Sequence, residues 1–281
     1  EHAAAGGLTV ATAGDDEVIR TWSAENDAGF DTFPGKLGPV RSIGTGDEKS
    51  PLANRVLTIE FSADGKLLAT GGGVPSRSGE VKIWRVSDAS LVREVTPSHS
   101  DTVFSLDFSP DGKFLATAGA DKFVKVFDLS TGKLVKQLAG HTHYVFGVSW
   151  KADGRTLASS GADKTVKLWS FPEGQPLKTI EGFKSEVTSV RFVGIGGEML
   201  ATSGDTKVWL LKEDGGALRD FAGGKDFIFS AAYTPDGQFI LGGGQDSTLR
   251  IWNATTGKIL FTLEAPATAS VKNGATQAAA K

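Results

Sequence analysis

Apolar residues along this chain fall in short alternating runs, broken by Gly and Asp, rather than at helical spacing. The clearest stretch is residues 141–169, HTHYVFGVSWKADGRTLASSGADKTVKLW. Two β-branched and aromatic runs flank a turn at Asp153 and Gly154, and a third run, TVKLW, follows a second turn over residues 161–164. Such runs predict strand, turn, strand, turn, strand. The design recurs. An aromatic residue closes a run and an Asp-Gly turn follows it at Phe61–Gly65, Phe108–Gly112, Trp150–Gly154 and Tyr233–Gly237, with a degenerate version at Phe192–Gly196. Successive aromatic positions are 41 to 47 residues apart.

A period of this length with four short strands per unit is that of a β-propeller blade. The expected fold is therefore an all-β propeller with six recognisable four-stranded repeats. The repeat overrides the prior of about two domains that length alone suggests. Repeat two is expected to run through residues 56–61, 67–71 and 81–84, with its second turn expanded over Gly72–Glu80. Repeat three uses residues 103–108, 114–118, 123–127 and 134–138, and repeat four is the stretch quoted above, closed by residues 177–180. Repeat five uses residues 187–192, 199–203 and 207–210, with a second turn shortened at residues 204–206. Repeat six uses residues 228–233, 239–242, 248–252 and 259–263. Repeat one begins at its second strand, within residues 8–22, and its outer strand is expected around residues 40–43 inside the long connection Phe30–Arg55, which includes an insertion, Phe33–Arg55.

The first strand of repeat one is missing. Its absence leaves a sheet edge unpaired at the centre, which native folds avoid. The chain is thus expected to be part of a longer polypeptide, or to pair with another chain or segment that completes the propeller; Thr268–Asn273 is one segment that could serve. Glu1–Gly7 does not read as the start of an intact gene product. The propeller domain is taken as residues 1–265, and residues 266–281, rich in Ala, Thr, Ser and Gly, as a tail or linker.

Composition narrows the chemistry. Formal net charge is −3 with acids and bases interspersed, so nucleic acid is disfavoured as a partner. There is no cysteine, which removes thiolate catalysis, zinc-cysteine sites and covalent c-type haem from this chain and leaves periplasm and cytoplasm equally open. No apolar run approaches membrane-spanning length. His141 and His143 have no carboxylate or cysteine cluster to complete a metal site. Gly71–Gly73 lacks the pattern and following helix of a phosphate loop, and Gly194–Gly197 lacks the spacing of a dinucleotide fingerprint. No nucleophile elbow or tuned carboxylate pair is present, so no catalytic residue and no cofactor are assigned. Asp64, Asp111, Asp153 and Asp236 read as turn formers.

The period, the Ser-Pro-Asp-Gly type turns and a Trp closing the third strand together resemble the WD-repeat (WD40) β-propeller family, over residues 8–265. The resemblance implies a buried structural tetrad in each blade: a His before the first strand, Ser or Thr in the second, Asp in the next turn, Trp in the third. Blade four matches in full with His141, Ser159, Asp163 and Trp169. Blade three has His99, Thr117 and Asp121 but Phe127; blade one has Thr12, Asp16 and Trp22; blade six keeps Asp246 and Trp252; blade five is read as keeping Trp209, with Phe183 at the His position; blade two is read as keeping Trp84 alone. The expanded turn with Pro75 to Ser78 resembles that of WD-repeat proteins in bacteria such as planctomycetes, where a propeller can be fused to a c-type cytochrome domain.

The class this implies is a non-enzymatic scaffold that presents loops to a partner protein or peptide. The alternative is an accessory or sensory domain of a larger bacterial redox protein. By the family's layout, the loops before the first strand and after the second share one face. Phe104, Phe146 and Phe229 open the first strands of blades three, four and six just inside that face, with Tyr144 and Phe227 two residues earlier. These rings, rimmed by Arg55 and Arg77, are the candidate partner-binding surface. The competing reading is that they pack between blades as core.

Overall fold

The computed structural model describes residues 8–13, 18–24, 37–44, 50–52, 55–234 and 236–264. Every regular element in them is a strand, and the strands form six antiparallel sheets in sequence order. Blades two to six have four strands each: Val56–Phe61, Leu67–Val74, Ser78–Arg85 and Leu91–Glu94; Val103–Phe108, Phe114–Gly119, Phe123–Asp128 and Leu134–Ala139; Val145–Trp150, Thr156–Gly161, Val166–Ser170 and Pro176–Ile180; Val187–Val193, Glu198–Ser203, Val208–Leu211 and Ala217–Phe221; Ile228–Tyr233, Phe239–Gly244, Thr248–Asn253 and Ile259–Glu264. Blade one has three among the described residues, Leu8–Thr12, Ile19–Ala24 and Leu37–Ile43. Asp16 and the segment Thr268–Asn273 lie outside the described residues, as does much of the Phe33–Arg55 insertion.

Alternation drives the packing. In each blade the apolar side chains of the middle strands bury against the first strand of the next blade. Ala116, Val124, Val126 and Leu138 of blade three meet Val145, Val148, Trp150 and Leu157 of blade four in one cluster. Blades four and five share a second, through Val166, Leu168 and Ile180 against Val187, Val190 and Met199. Blade six differs. Leu249 is 37% and Leu263 55% exposed, whereas their counterparts Val124 and Leu138, or Val166 and Ile180, are at most 4% exposed. The side of blade six that faces away from blade five is therefore open.

The structure corrects two readings of the turns. The expansion in blade two is a longer hairpin rather than a loop: Gly73 pairs with Gly79 and Val74 with Ser78, leaving Pro75 to Arg77 as a tight turn. Its tip is tied to blade three, because the Ser76 N–H donates to Asp101 Oδ1 at 2.7 Å. The second turn of blade five is not shortened. Thr206 holds φ 71° and its N–H donates to the Ser203 carbonyl, as Lys164, at φ 63°, donates to Gly161 in blade four.

A candidate docking site at the mouth of the channel

Blade four contains a closed polar network. The imidazole Nδ1–H of His141 donates to Asp163 at 2.9–3.0 Å, Ser159 Oγ–H donates to Nε2 at 2.8 Å, and the Trp169 indole N–H donates to Ser159 Oγ at 2.8 Å. The Thr142 N–H and Thr165 hydroxyl supply further donors to the carboxylate. Burial lowers the pKa of His141 and keeps the ring neutral, against the pull of Asp163. Burial raises the Asp163 pKa, but His141 and the surrounding donors outweigh it and hold the carboxyl below its usual range. Blade three builds the same core without the indole. His99 sits 2.7 Å from both Asp121 and Thr117, and Lys125 adds an ion pair to Asp121 at 3.1 Å. Desolvation opposes ionisation of Asp121, yet His99 and Lys125 bring its pKa down to about 2.

Two tetrad assignments change. Blade two keeps more than Trp84, because its indole N–H donates to Thr70 Oγ1 at 3.1 Å. Thr70 is the second-strand hydroxyl that the sequence reading passed over. Trp209 is not the tetrad tryptophan of blade five. Trp169 pairs with Leu157, which pairs with Trp150; the corresponding ladder in blade five runs Leu211, Met199, Phe192. Leu211 therefore occupies the tryptophan position, and Trp209 stands where Lys167 stands, partly exposed. In blade six Trp252 donates to the Ala222 carbonyl at 2.9 Å, and Asp246 is held ionised first by Arg250, 2.7 Å away. Thr12 ends the strand Leu8–Thr12 and pairs with Arg20, as Ser159 pairs with Lys167 in blade four, while the side chain of Trp22 is outside the described set.

The first strands of blades two to six line a central cavity of about 400 Å³. Each carries a bulge between its first and third residues. The extra residue lets two consecutive side chains face the channel, which a regular strand would send to opposite faces. The result is three layers. Leu57, Phe104, Phe146, Thr188 and Phe229 line the loop end; Thr58, Ser105, Ser189 and Ser230 form a hydroxyl layer below; Glu60, Asp107, Ser149 and Arg191 lie towards the other end. The lower two layers were missed in the sequence. The lowest layer had a signal in the polar residue just before the closing aromatic of blades two to five, Glu60, Asp107, Ser149 and Arg191.

These polar side chains serve the exposed inner edges of the sheets. The Val148 N–H donates to Ser105 Oγ at 3.2 Å, the Trp150 N–H to Asp107 Oδ2 at 2.6 Å, and the Phe192 N–H to Ser149 Oγ at 3.1 Å, each from one blade to the blade before it. Arg191 reaches across to Glu60 at 3.3 Å. Desolvation in the channel wall, and then the nearby Glu60 carboxylate, push the Asp107 pKa up to about 7.

At the loop end the predicted rings come together. Phe104, Phe146 and Tyr144 are mutual neighbours with centroids 5.4 to 6.3 Å apart, and Phe227 lies 6.5 Å from Phe229. With His143, Ala162, Glu186 and Thr188 they line a second cavity of about 500 Å³ that shares four residues with the channel. Tyr144 is 41% and Phe229 51% exposed; Phe104, Phe146 and Phe227 are half-buried. Packing between blades thus takes only part of their surface. Arg55 and Arg77 are exposed on the adjoining loops, but neither lines the aromatic cavity.

The family model described as "WD domain, G-beta repeat" matches residues 47–85, 90–128, 132–170 and 215–253, more than half of the chain. The chain belongs to the WD-repeat family. The matched repeats pass over residues 171–214, where blade five has lost the family's tryptophan position and keeps only the aspartate of the tetrad. A search of curated proteins finds no match. Propellers of this family are commonly used for protein–protein interaction. Among the described residues, no group of three or more His, Asp or Glu is placed to hold a metal ion, and no helix is long and apolar enough to cross a membrane.

Proposed function

We propose that this WD-repeat propeller is a non-enzymatic docking module, and that a protein or peptide partner seats a side chain in the aromatic mouth of the channel. The supporting observation is the convergence of rings from three blades on one concave, solvent-accessible cavity. Concave apolar sites with exposed aromatic walls concentrate binding energy, and a single truncation there costs roughly 2 kcal/mol or more. Peptide display against the immobilised propeller tests the reading. Selected peptides should lose at least about tenfold in affinity for the Phe229→Ala and Tyr144→Ala variants, with melting temperatures close to that of the parent. Phe146→Ala should weaken capture too, with a modest loss of stability from its buried half. Peptides that bind all three variants as well as the parent would overturn the reading.

The open side of blade six supports a second reading. A strand from outside the described residues, or from another chain, covers Leu249 and Leu263. The Leu249→Glu, Leu263→Glu double variant tests this: a clear drop in melting temperature is expected if the pair is covered, and a melting temperature equal to the parent's would rule it out.

A further inference from the structure

The aromatic cavity sits inside a ring of cations that the blade geometry itself produces. In blades three and four the turn after the tetrad aspartate places Lys122 and Lys164 in left-handed positions, at φ 72° and 63°, with exposed side chains. The loops entering blades five and six add exposed Lys184 and Lys225, and Arg55 and Arg77 complete the set. Most acids of the same loops are held by other groups; Glu181 is exposed and Glu186 lines the cavity. Asp121 and Asp163 are bound to His99 and His141, and Asp246 to Arg250 and the Lys225 N–H. Asp101 takes the N–H groups of Ser76 and Thr102, and Asp226 that of Phe227. Glu186, at the cavity wall, accepts the Ser185 hydroxyl at 2.5 Å. This face therefore turns most of its carboxylates inward onto its own backbone and histidines and leaves its ammonium and guanidinium groups outward, although the whole chain is net negative.

Charge complementarity then selects among apolar partners. We infer that the occupant of this site is an acidic peptide segment of a partner protein, with one bulky apolar side chain in the aromatic cavity and Asp or Glu residues on either side of it. This rests on the docking reading above and deepens it. The cations ring the cavity singly, one or two to a blade, rather than forming the continuous groove that follows a nucleic-acid backbone.

Synthetic peptides of equal length with the same central Phe separate the outcomes, the flanks being Asp and Glu, Ser and Gly, or Lys. The acidic peptide should bind at least about tenfold more tightly than the neutral one and lose that advantage in high salt. A Lys164→Glu, Lys184→Glu double variant should abolish the difference while leaving the neutral peptide's affinity unchanged. Equal binding of all three peptides, still lost on Phe229→Ala, would keep the docking site and refute the acidic partner. Tighter binding of the Lys-flanked peptide, or of single-stranded oligothymidylate, would refute it as well. Binding of none of the three would overturn the acidic partner while leaving the display experiment to judge the site.

Discussion

Blades four and five are neighbours, share a hydrophobic cluster and have matching strand registers, yet they fill the same four positions in opposite ways. Blade four places His141, Ser159, Asp163 and Trp169 there, every polar atom of the set partnered. Blade five places Phe183, Ala201, Asp205 and Leu211 there. Ala201 is 0% and Leu211 3% exposed, and Phe183 packs edge-on to Trp209 at 6.1 Å. The aspartate remains because the turn needs it: the Lys207 N–H and, at 3.4 Å, the displaced Trp209 indole use its oxygen. A hydrogen-bonded network, whole in blade four or partial in blades two and three, and a mostly apolar filling are both stable solutions so long as the buried polar atoms present are partnered. The lesson is that a blade needs its polar atoms satisfied as a set rather than the family's residue at each site.

The largest effect should come from breaking the set in blade four. Asp163→Ala leaves His141, Thr142 and Thr165 donors without their acceptor, and a loss of about 2–4 kcal/mol is expected by denaturant unfolding. Mirror substitutions come next. Ser159→Ala orphans both His141 and Trp169 and should cost about 2–3 kcal/mol. Ala201→Ser puts a hydroxyl into the apolar filling of blade five and should cost about 1–2 kcal/mol. If serine were neutral at position 201, the set argument would be wrong.

How much of this was legible follows from the same two blades. The period, the turn residues and the aromatic strand ends placed the first strands and made blade four readable residue by residue. Blade five was misread because its only tryptophan was taken as the register mark. Counting from Asp205 by the spacing of Asp163 to Trp169 reaches Leu211 and corrects it. Thr70 was hidden by the length of the blade-two hairpin. The aromatic mouth could be placed from the recurring position of its rings in the first strands together with the layout that the family resemblance implies. The hydroxyl layer directly beneath could not, because the bulges put adjacent residues on one face and so break the period of two on which strand patterns rest.

A pH titration sharpens the comparison at the seam between blades three and four. The folded pKa of Asp107 is raised above its unfolded value of 3.8 to about 7, so the folded state holds the extra proton in that interval. Stability from this group is full below about pH 4 and is lost as pH rises to about 7. His141 works oppositely: its folded pKa is lowered, so its contribution is present above 6.5 and is lost as pH falls below that value. Asp107→Asn keeps an oxygen for the Trp150 N–H. Relative to the parent it should gain about 1–3 kcal/mol in going from pH 4 to pH 8. A constant offset across that range would show that Asp107 does not titrate as described. The smallest effect closes the comparison: Asp205→Ala should cost less than about 1 kcal/mol, because no histidine depends on it. A loss equal to that of Asp163→Ala would remove the distinction between the blades.

The bulge that opens each inner strand has an evolutionary consequence. It separates what a blade must conserve to stack from what it shows the channel. Val103, Leu106 and Phe108 point into the sheet-to-sheet core, while Phe104, Ser105 and Asp107 face the channel. The rings of the second set accept no N–H groups from the next blade, so their level can change one blade at a time at less cost to stacking than Ser105 and Asp107, which do accept them. The five first strands carry Leu, Phe, Phe, Thr and Phe at that level and Glu, Asp, Ser, Arg and Ala at another. A propeller built this way can acquire a new ligand without acquiring a new architecture.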